Sequence, residues 1–564
     1  MEFRNYVIPQ VWLVRVRVKE MTDSIKRISG NVVDIVRRDI FPGTLEISNG
    51  RISRIIPDQK EYATYIIPGF IDAHIHIESS MLTPSEFARA AVIHGTVGAI
   101  CDPHEIANVL GVEGVRYMVK DGASVPFKFF WGAPSCVPAT THETAGARID
   151  PSQVEALLKM DTVRCLSEMM NVPGVLGNDP DVVAKINLAK SFSKVIDGHA
   201  PGLRGEALEK YIHAGISTDH ECIRYSEALE KLRLGMKILI REGSAAKNFD
   251  ELIPIAKEHS DSCMFCSDDK HPDDLSMGHI NLIVKRAIHG GIDTIDVLRM
   301  ASLNPVKHYN LDAGLLQEGD PADFLVIDDL SSLSILRTVI NGRLVAEDGK
   351  PLLKESPKRT VNNFNTREKN VHDFVLKAKD GKIHIIGAVD GQLVTNLVLE
   401  KPKVVDSHVV SDPERDILKI AVINRYKDSP PSIGFIKNFG LKKGAIGSSV
   451  AHDSHNIVSV GVDDIDICRA VNIIIENQGG ISAVSGKTER ILPLPIAGIM
   501  SDLSYKEVSK RYTELDRFAK QLGSELRAPF MTLSFMALLV IPEIKLSDKG
   551  LFDVLRFEFM DLFA

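Results

Sequence analysis

No stretch of this chain joins lysine and arginine to aromatics in a basic run, and 75 acidic side chains outnumber 67 basic ones to leave a net charge of −8. Nucleic acid is disfavoured as a partner, because its recognition needs a positive stripe; a small neutral or polar substrate fits better. Cysteine is scarce. Seven residues, an odd number scattered through 564 positions, make no disulfide framework, and a reducing compartment, the cytoplasm, is expected. Cys263-Met264-Phe265-Cys266 is formally C-x-x-C, but its Met-Phe interior reads as a buried strand rather than a redox or zinc site. Long apolar runs are also missing. The longest, Phe530 to Ile541, contains Thr532 and Ser534 and stops at Pro542, short of the ~20 residues a membrane-spanning helix needs, so it reads as a core segment. Met1-Glu2-Phe3-Arg4-Asn5 carries an early acid and no apolar h-region, which argues against a signal peptide.

The length exceeds what one core serves, since single cores stop growing at about 250–300 residues, so two or three domains are expected. Residues 43–48 and 51–56 alternate on either side of Asn49-Gly50, the strongest short hairpin signal, because both central turn residues need positive φ. The device returns at Asn341-Gly342, after Asp323–Ile327 and before Leu344–Ala346. One β module built from both ends of an inserted domain follows, with two unrelated hairpins as the alternative.

Between those halves, apolar strand-like runs alternate with amphipathic helical stretches, the pattern of a parallel α/β architecture. The runs are 70–77, 97–101, 127–131, 163–166, 194–196, 215–217, 237–240 and 263–266. Eight is the number that closes a (β/α)₈ TIM barrel, whose chemistry sits at the C-terminal ends of its strands. Beyond Val361 the polar Asn362–Lys369 segment reads as a linker into a third domain, with a helix starting near Asp463 and another over residues 504–521.

Reactive residues gather where those strands end. His74 and His76 share one face of the first strand, because successive side chains alternate. Later strand ends carry Glu168, His199, His220 and Asp268. Taken singly, each has an ordinary reading: turn histidine, surface histidine, mid-helix acid, helix cap. Together they supply the imidazoles and carboxylates that two divalent ions need. Such a pair lowers the pKa of bound water from about 15.7 toward ~7, so a hydroxide nucleophile exists at neutral pH.

Several strings extend this pattern: Pro68–Glu78, Cys101-Asp102-Pro103-His104-Glu105, Ser167-Glu168-Met169-Met170-Asn171, Gly198-His199-Ala200-Pro201-Gly202, Thr218-Asp219-His220-Glu221, Cys266-Ser267-Asp268-Asp269 and Ala451-His452-Asp453-Ser454-His455-Asn456. They resemble the amidohydrolase superfamily and, within it, the bacterial adenine deaminases. That resemblance implies an α/β fold: a (β/α)₈ TIM barrel with a small composite β-sandwich domain and a C-terminal α+β domain. The boundaries expected are 1–67 and 309–360 for the two halves of the β module, 68–308 for the barrel and 370–564 for the last domain.

The resemblance further implies His74, His76 and Asp268 on one ion, His199 and His220 on the other, and Glu168 bridging. Residues 163–171 contain no lysine, which argues against superfamily members that bridge their metals with a carboxylated lysine. Manganese or iron is implied, with zinc compatible. The activity implied is hydrolytic deamination of adenine to hypoxanthine and ammonia, by hydroxide addition at C6 and with Asp268 as proton carrier; another heterocycle or cyclic amide, or a metal-free scaffold, is the alternative. Asp102 and Glu105 are candidates for contacting the purine or relaying a proton, against an ordinary polar loop with Asp102 capping a helix. His104, Glu221, His452 and His455 are candidate substrate-binding residues, with a solvated loop as the alternative for the last two. A His/Cys/Cys zinc deaminase is excluded, because no H-x-E followed by P-C-x-x-C occurs. The expected state is a cytoplasmic homo-oligomer without membrane or nucleic-acid partners.

Overall fold

The computed structural model of the protein describes residues 24–564, so the reading of Met1–Asn5 lies outside the described residues. A single eight-stranded sheet takes four strands from before the barrel, within Arg27–Pro68, and four from after it, within Phe324–Pro351. Tyr65–Pro68 pairs antiparallel with Phe324–Ile327 and so stitches the two chain segments together. Both Asn-Gly turns have positive φ at both residues, 51° and 76° at Asn49-Gly50 and 49° and 71° at Asn341-Gly342. They also abut: a Cβ on Gly50 would lie 2.9 Å from the Asn341 carbonyl oxygen. Glycine is needed there twice over, for the turn and for the close approach.

The inserted barrel has strands β1 (Phe70–Ile75), β2 (Thr96–Cys101), β3 (Lys128–Ala133), β4 (Val163–Met169), β5 (Val195–Gly198), β6 (Thr218–Asp219), β7 (Lys237–Arg241) and β8 (Cys263–Cys266). Each of β1 to β5 pairs in parallel with its neighbour, as do β6 to β8. Two seams complete the circle. Between β5 and β6, Ser217 N donates to Ile196 O at 3.0 Å; between β8 and β1, Asp268 N donates to His74 O at 3.0 Å and His76 N to Asp268 O at 3.3 Å. The second seam is made by the backbone of three candidate ligands.

The strands are buried almost end to end, as parallel strands covered by helices should be. One expected run is displaced: 215–217 precedes the sixth strand, which is Thr218–Asp219. Gly215 has φ of 107° and follows the helix Gly205–His213, so this apolar stretch serves the helix stop and the turn into the strand. Cys263–Cys266 is a fully buried strand, as its apolar interior requires.

The C-terminal region holds an eight-stranded mixed sheet between Ile383 and Pro493. The helix Asp464–Glu476 is capped by Asp463, whose side chain accepts from Asp466 N; Ser504 caps Tyr505–Gln521 in the same way. Both place an oxygen against unsatisfied first-turn N–H groups. This region packs firmly on the barrel. Tyr505 N donates to Glu86 Oε2 at 2.9 Å, His271 Nδ1 meets the Tyr512 hydroxyl at 2.5 Å, and Asn456 Nδ2 donates to Thr144 O at 2.9 Å. One continuous apolar cluster runs through both. Among the described residues no helix is long and apolar enough to cross a membrane.

Candidate metal centre

At the C-terminal mouth of the barrel, β1 presents His74 and carries His76 just past its end, with the two Nε2 atoms 3.1 Å apart. Asp72, two residues earlier on the same face, accepts from Ser267 N at 3.0 Å and lies 2.9 Å from His279 Nε2. It therefore anchors β1 to the end of β8, where Asp268 stands. Asp268 adopts a left-handed backbone conformation (φ 54°), which turns its carboxylate into the mouth. Its Oδ1 lies 3.5 Å from His74 Nε2 and 3.3 Å from His76 Nε2.

Glu168, one residue before the end of β4, divides its two oxygens. Oε1 is 3.3 Å from His76 Nε2, whereas Oε2 is 2.7 Å from His199 Nδ1 and 3.2 Å from His220 Nε2. The His74 and His220 rings stack at 4.2 Å. All six side chains are buried, so the surface and turn readings of His220 and His199 do not hold. Burial would raise the Glu168 carboxyl, but the imidazoles of His199, His220 and His76 outweigh it and hold it well below the usual carboxylate range. Asp268 behaves alike: against burial, Arg241, His74 and His76 keep it ionised.

Residues after β2 extend the site. Asp102 Oδ1 accepts from His104 N at 3.1 Å, so part of its capping role is present, while Oδ2 lies 3.2 Å from His104 Nδ1. The same Nδ1 is 3.6 Å from Glu168 Oε1. Glu105 is gripped by two histidines of the C-terminal region, His452 Nδ1 and His455 Nε2. The solvated-loop reading of those histidines is overturned: both are buried and reach a carboxylate some 350 residues away. Glu221 lies 3.3 Å from His220 Nε2 and pairs with Arg241, whose Nη1 also donates to Asp268 Oδ2 at 2.7 Å.

The donor chemistry fits divalent cations. Asp102, Glu105, Glu168, Glu221, Asp268 and Asp269 are all buried around this mouth, and a dense group of buried carboxylates demands compensating positive charge. Two imidazole nitrogens 3.1 Å apart point the same way, and the buried His199 Nε2 has no hydrogen-bond partner. His74, His220 and Asp268 present donor atoms within 4.8 Å of one another, as do Glu168, His199 and His220, and also His76, Asp102, His104 and Glu168.

The pocket above these residues is walled on one side by the barrel and on the other by Leu393, His452, Asp453, Phe535, Leu538 and Ile541. The segment 530–541 is thus core, as its composition predicts, but three of its residues also face the site. The cavity between them is about 30 Å³. Of the sequence-based site, His452 lies in this wall, whereas Arg241 and the apolar wall residues Leu393, Phe535, Leu538 and Ile541 are absent from it. Arg241 closes the seventh strand and the strand-end rule would have found it; the wall has no local signal, because it reaches the barrel across hundreds of residues.

The amidohydrolase family matches residues 65–345, and the adenine deaminase C-terminal domain matches residues 392–558. An adenine deaminase of Salinibacter ruber is 54% identical over 95% of this chain and 99% of its own length. The chain belongs to the adenine deaminase family. Adenine deaminases of Methanosarcina mazei, 52% identical over 96% of this chain and 100% of their own, and of Borreliella burgdorferi, 49% over 95% and 99%, extend the likeness across distant sources. The two matched segments, barrel and C-terminal, are the ones that meet across the pocket.

Proposed function

We propose that this chain hydrolyses adenine to hypoxanthine and ammonia at a site for two divalent cations. The observation that carries the metal reading is Glu168, whose oxygens serve His76 on one side and His199 and His220 on the other; membership of the adenine deaminase family carries the substrate. His74, His76 and Asp268 would hold one ion and His199 and His220 the second, with Glu168 between them. When bound, the ions supply a strongly acidified water at neutral pH and charge stabilisation at the reacting carbon. Imidazole and carboxylate donors without cysteine suit manganese or iron, and accommodate zinc.

The remaining work falls to side chains. Arg241 donates to Asp268 Oδ2 and leaves Oδ1 facing the histidines. That arrangement keeps Asp268 ionised, ready to take a proton from the attacking water and to pass it toward the departing amine. Glu105, fixed by His452 and His455 and 3.4 Å from His104 Nε2, is placed to exchange a proton with a ring nitrogen, with Asp102 orienting His104. The wall from the C-terminal region excludes bulk water, which strengthens each of these interactions.

All seven cysteines are free and buried, which supports a reducing, cytoplasmic setting; the homo-oligomer proposed for it is tested by light scattering. The catalytic reading is tested by manganese titration of the metal-stripped protein with hypoxanthine followed by chromatography. Activity should rise to a plateau near two ions per chain. A plateau at one ion would overturn the binuclear reading, and absence of hypoxanthine at full loading would overturn the substrate.

A further inference from the structure

The pocket wall opposite the metal candidates contains two buried polar atoms that make no hydrogen bond, His452 Nε2 and Asp453 Oδ2; Asp269 Oδ1 lies 3.9 Å from His452 Nε2. Both residues line the pocket, at 2% exposure each. A buried polar atom left unpaired is destabilising, and its persistence calls for a partner that arrives from outside. Their neighbours are committed elsewhere. His452 Nδ1 is taken by Glu105, and the imidazole stacks on Phe535 with ring centres 4.4 Å apart and planes within 12°. Asp453 Oδ1 lies 3.7 Å from His104 Nε2. Each residue is thus flanked on one side and lines the cavity while keeping a second polar atom free of hydrogen bonds.

Adenine as a free base presents a matching pair of groups. Its five-membered ring carries one N–H, which demands an acceptor, and beside it ring nitrogens that demand a donor. A nucleoside differs at that place: the N–H hydrogen is replaced by a sugar, which cannot donate there. We propose that His452 and Asp453 read this edge of the purine and make the site selective for the free base over N9-substituted adenines. Asp453 Oδ2 accepts the ring N–H, and His452 Nε2 donates to the adjacent ring nitrogen. Burial disfavours a charged imidazole, but Glu105 and Asp269 push His452 up to about 9, so Nε2 carries a proton at neutral pH. The role of the C-terminal region is then to recognise the base that the barrel transforms.

This inference rests on the adenine reading, and the wild-type enzyme separates the two. Manganese-loaded wild type, Asp453→Ala, Asp453→Asn and His452→Gln are compared for kcat/KM on adenine and on 9-methyladenine, with adenine binding by calorimetry and thermal midpoints as the check on folding. Wild type should strongly prefer adenine. Losing a hydrogen bond to a charged group lowers adenine turnover roughly 10- to 100-fold, so Asp453→Ala should narrow the adenine to 9-methyladenine ratio by about that factor. Weaker calorimetric binding of adenine and a higher KM for His452→Gln should accompany it. Should Asp453→Ala fail to fold, the nearly isosteric Asp453→Asn decides. An unchanged ratio with unchanged adenine binding in folded variants overturns the inference while the adenine reading stands. A wild type inert toward adenine overturns both.

Discussion

Lys231 is wholly buried, and the strand ends that carry His199 and His220 depend on it. Its ammonium donates to Ala200 O at 2.6 Å, to Glu227 Oε1 at 2.8 Å and to Asp219 Oδ2 at 3.1 Å. Asp219 in turn accepts from Ala200 N at 2.8 Å, and Glu227 from Gly202 N at 2.9 Å. Lys231→Met keeps the aliphatic stem and removes the charge, leaving two carboxylates in the interior without their cation. Breaking a buried ion pair from one side is destabilising by about 3–5 kcal/mol. Against burial, Asp219 and Glu227 raise the Lys231 pKa while Lys231 lowers that of Asp219. The stabilisation is present below the unfolded lysine pKa and above the unfolded aspartate pKa, so the loss should be flat from about pH 5 to 9. Urea unfolding followed by tryptophan fluorescence reports it, since Trp131 is buried on β3. Bound manganese should fall as well, because the His199 and His220 strand ends lose their common anchor. A loss below about 1 kcal/mol with full metal content would refute the reasoning.

Glu168→Gln keeps the size of a side chain that meets His76, His199 and His220 but removes its charge; turnover on adenine should fall by at least 100-fold and bound metal should drop, as elemental analysis would show. Asp268→Asn should lower kcat similarly while retaining the fold, seen as an unchanged circular dichroism spectrum. Lys545, buried and with Leu393 O at 2.7 Å as the one partner of its ammonium among the described residues, is pushed down by burial from 10.5 to about 7. Between those values the unfolded chain binds the extra proton, so this group makes stability rise with pH from about 7 to 10.5, by roughly 5 kcal/mol. Lys545→Met should flatten that slope and be the more stable form at pH 7; parallel urea midpoints across the range would contradict it.

The barrel was legible because its strands are short buried runs that end in ionisable residues, a local pattern that survives without knowledge of neighbours. His74 and His76 follow from strand alternation, and Glu168 from its position at the end of an apolar run. Gly215-Ile216-Ser217 misled because three apolar or small residues satisfy a helix stop as well as a strand. His452 and His455 were visible as a motif, yet nothing nearby in the chain shows that Glu105 lies between them. Phe535, Leu538 and Ile541 look like any core residues, since facing a pocket and facing a core demand the same side chains. Arg241 differs: it sits one residue beyond the apolar run 237–240, and it holds Asp268 in place.

Ammonia release from adenine, measured on one preparation before chelation, after chelation and after manganese is restored, addresses the central claim most directly. Deamination should be present, should vanish with the chelator and should return with the metal. Ammonia release that survives complete metal removal, or that never occurs with metal fully bound, would contradict the account.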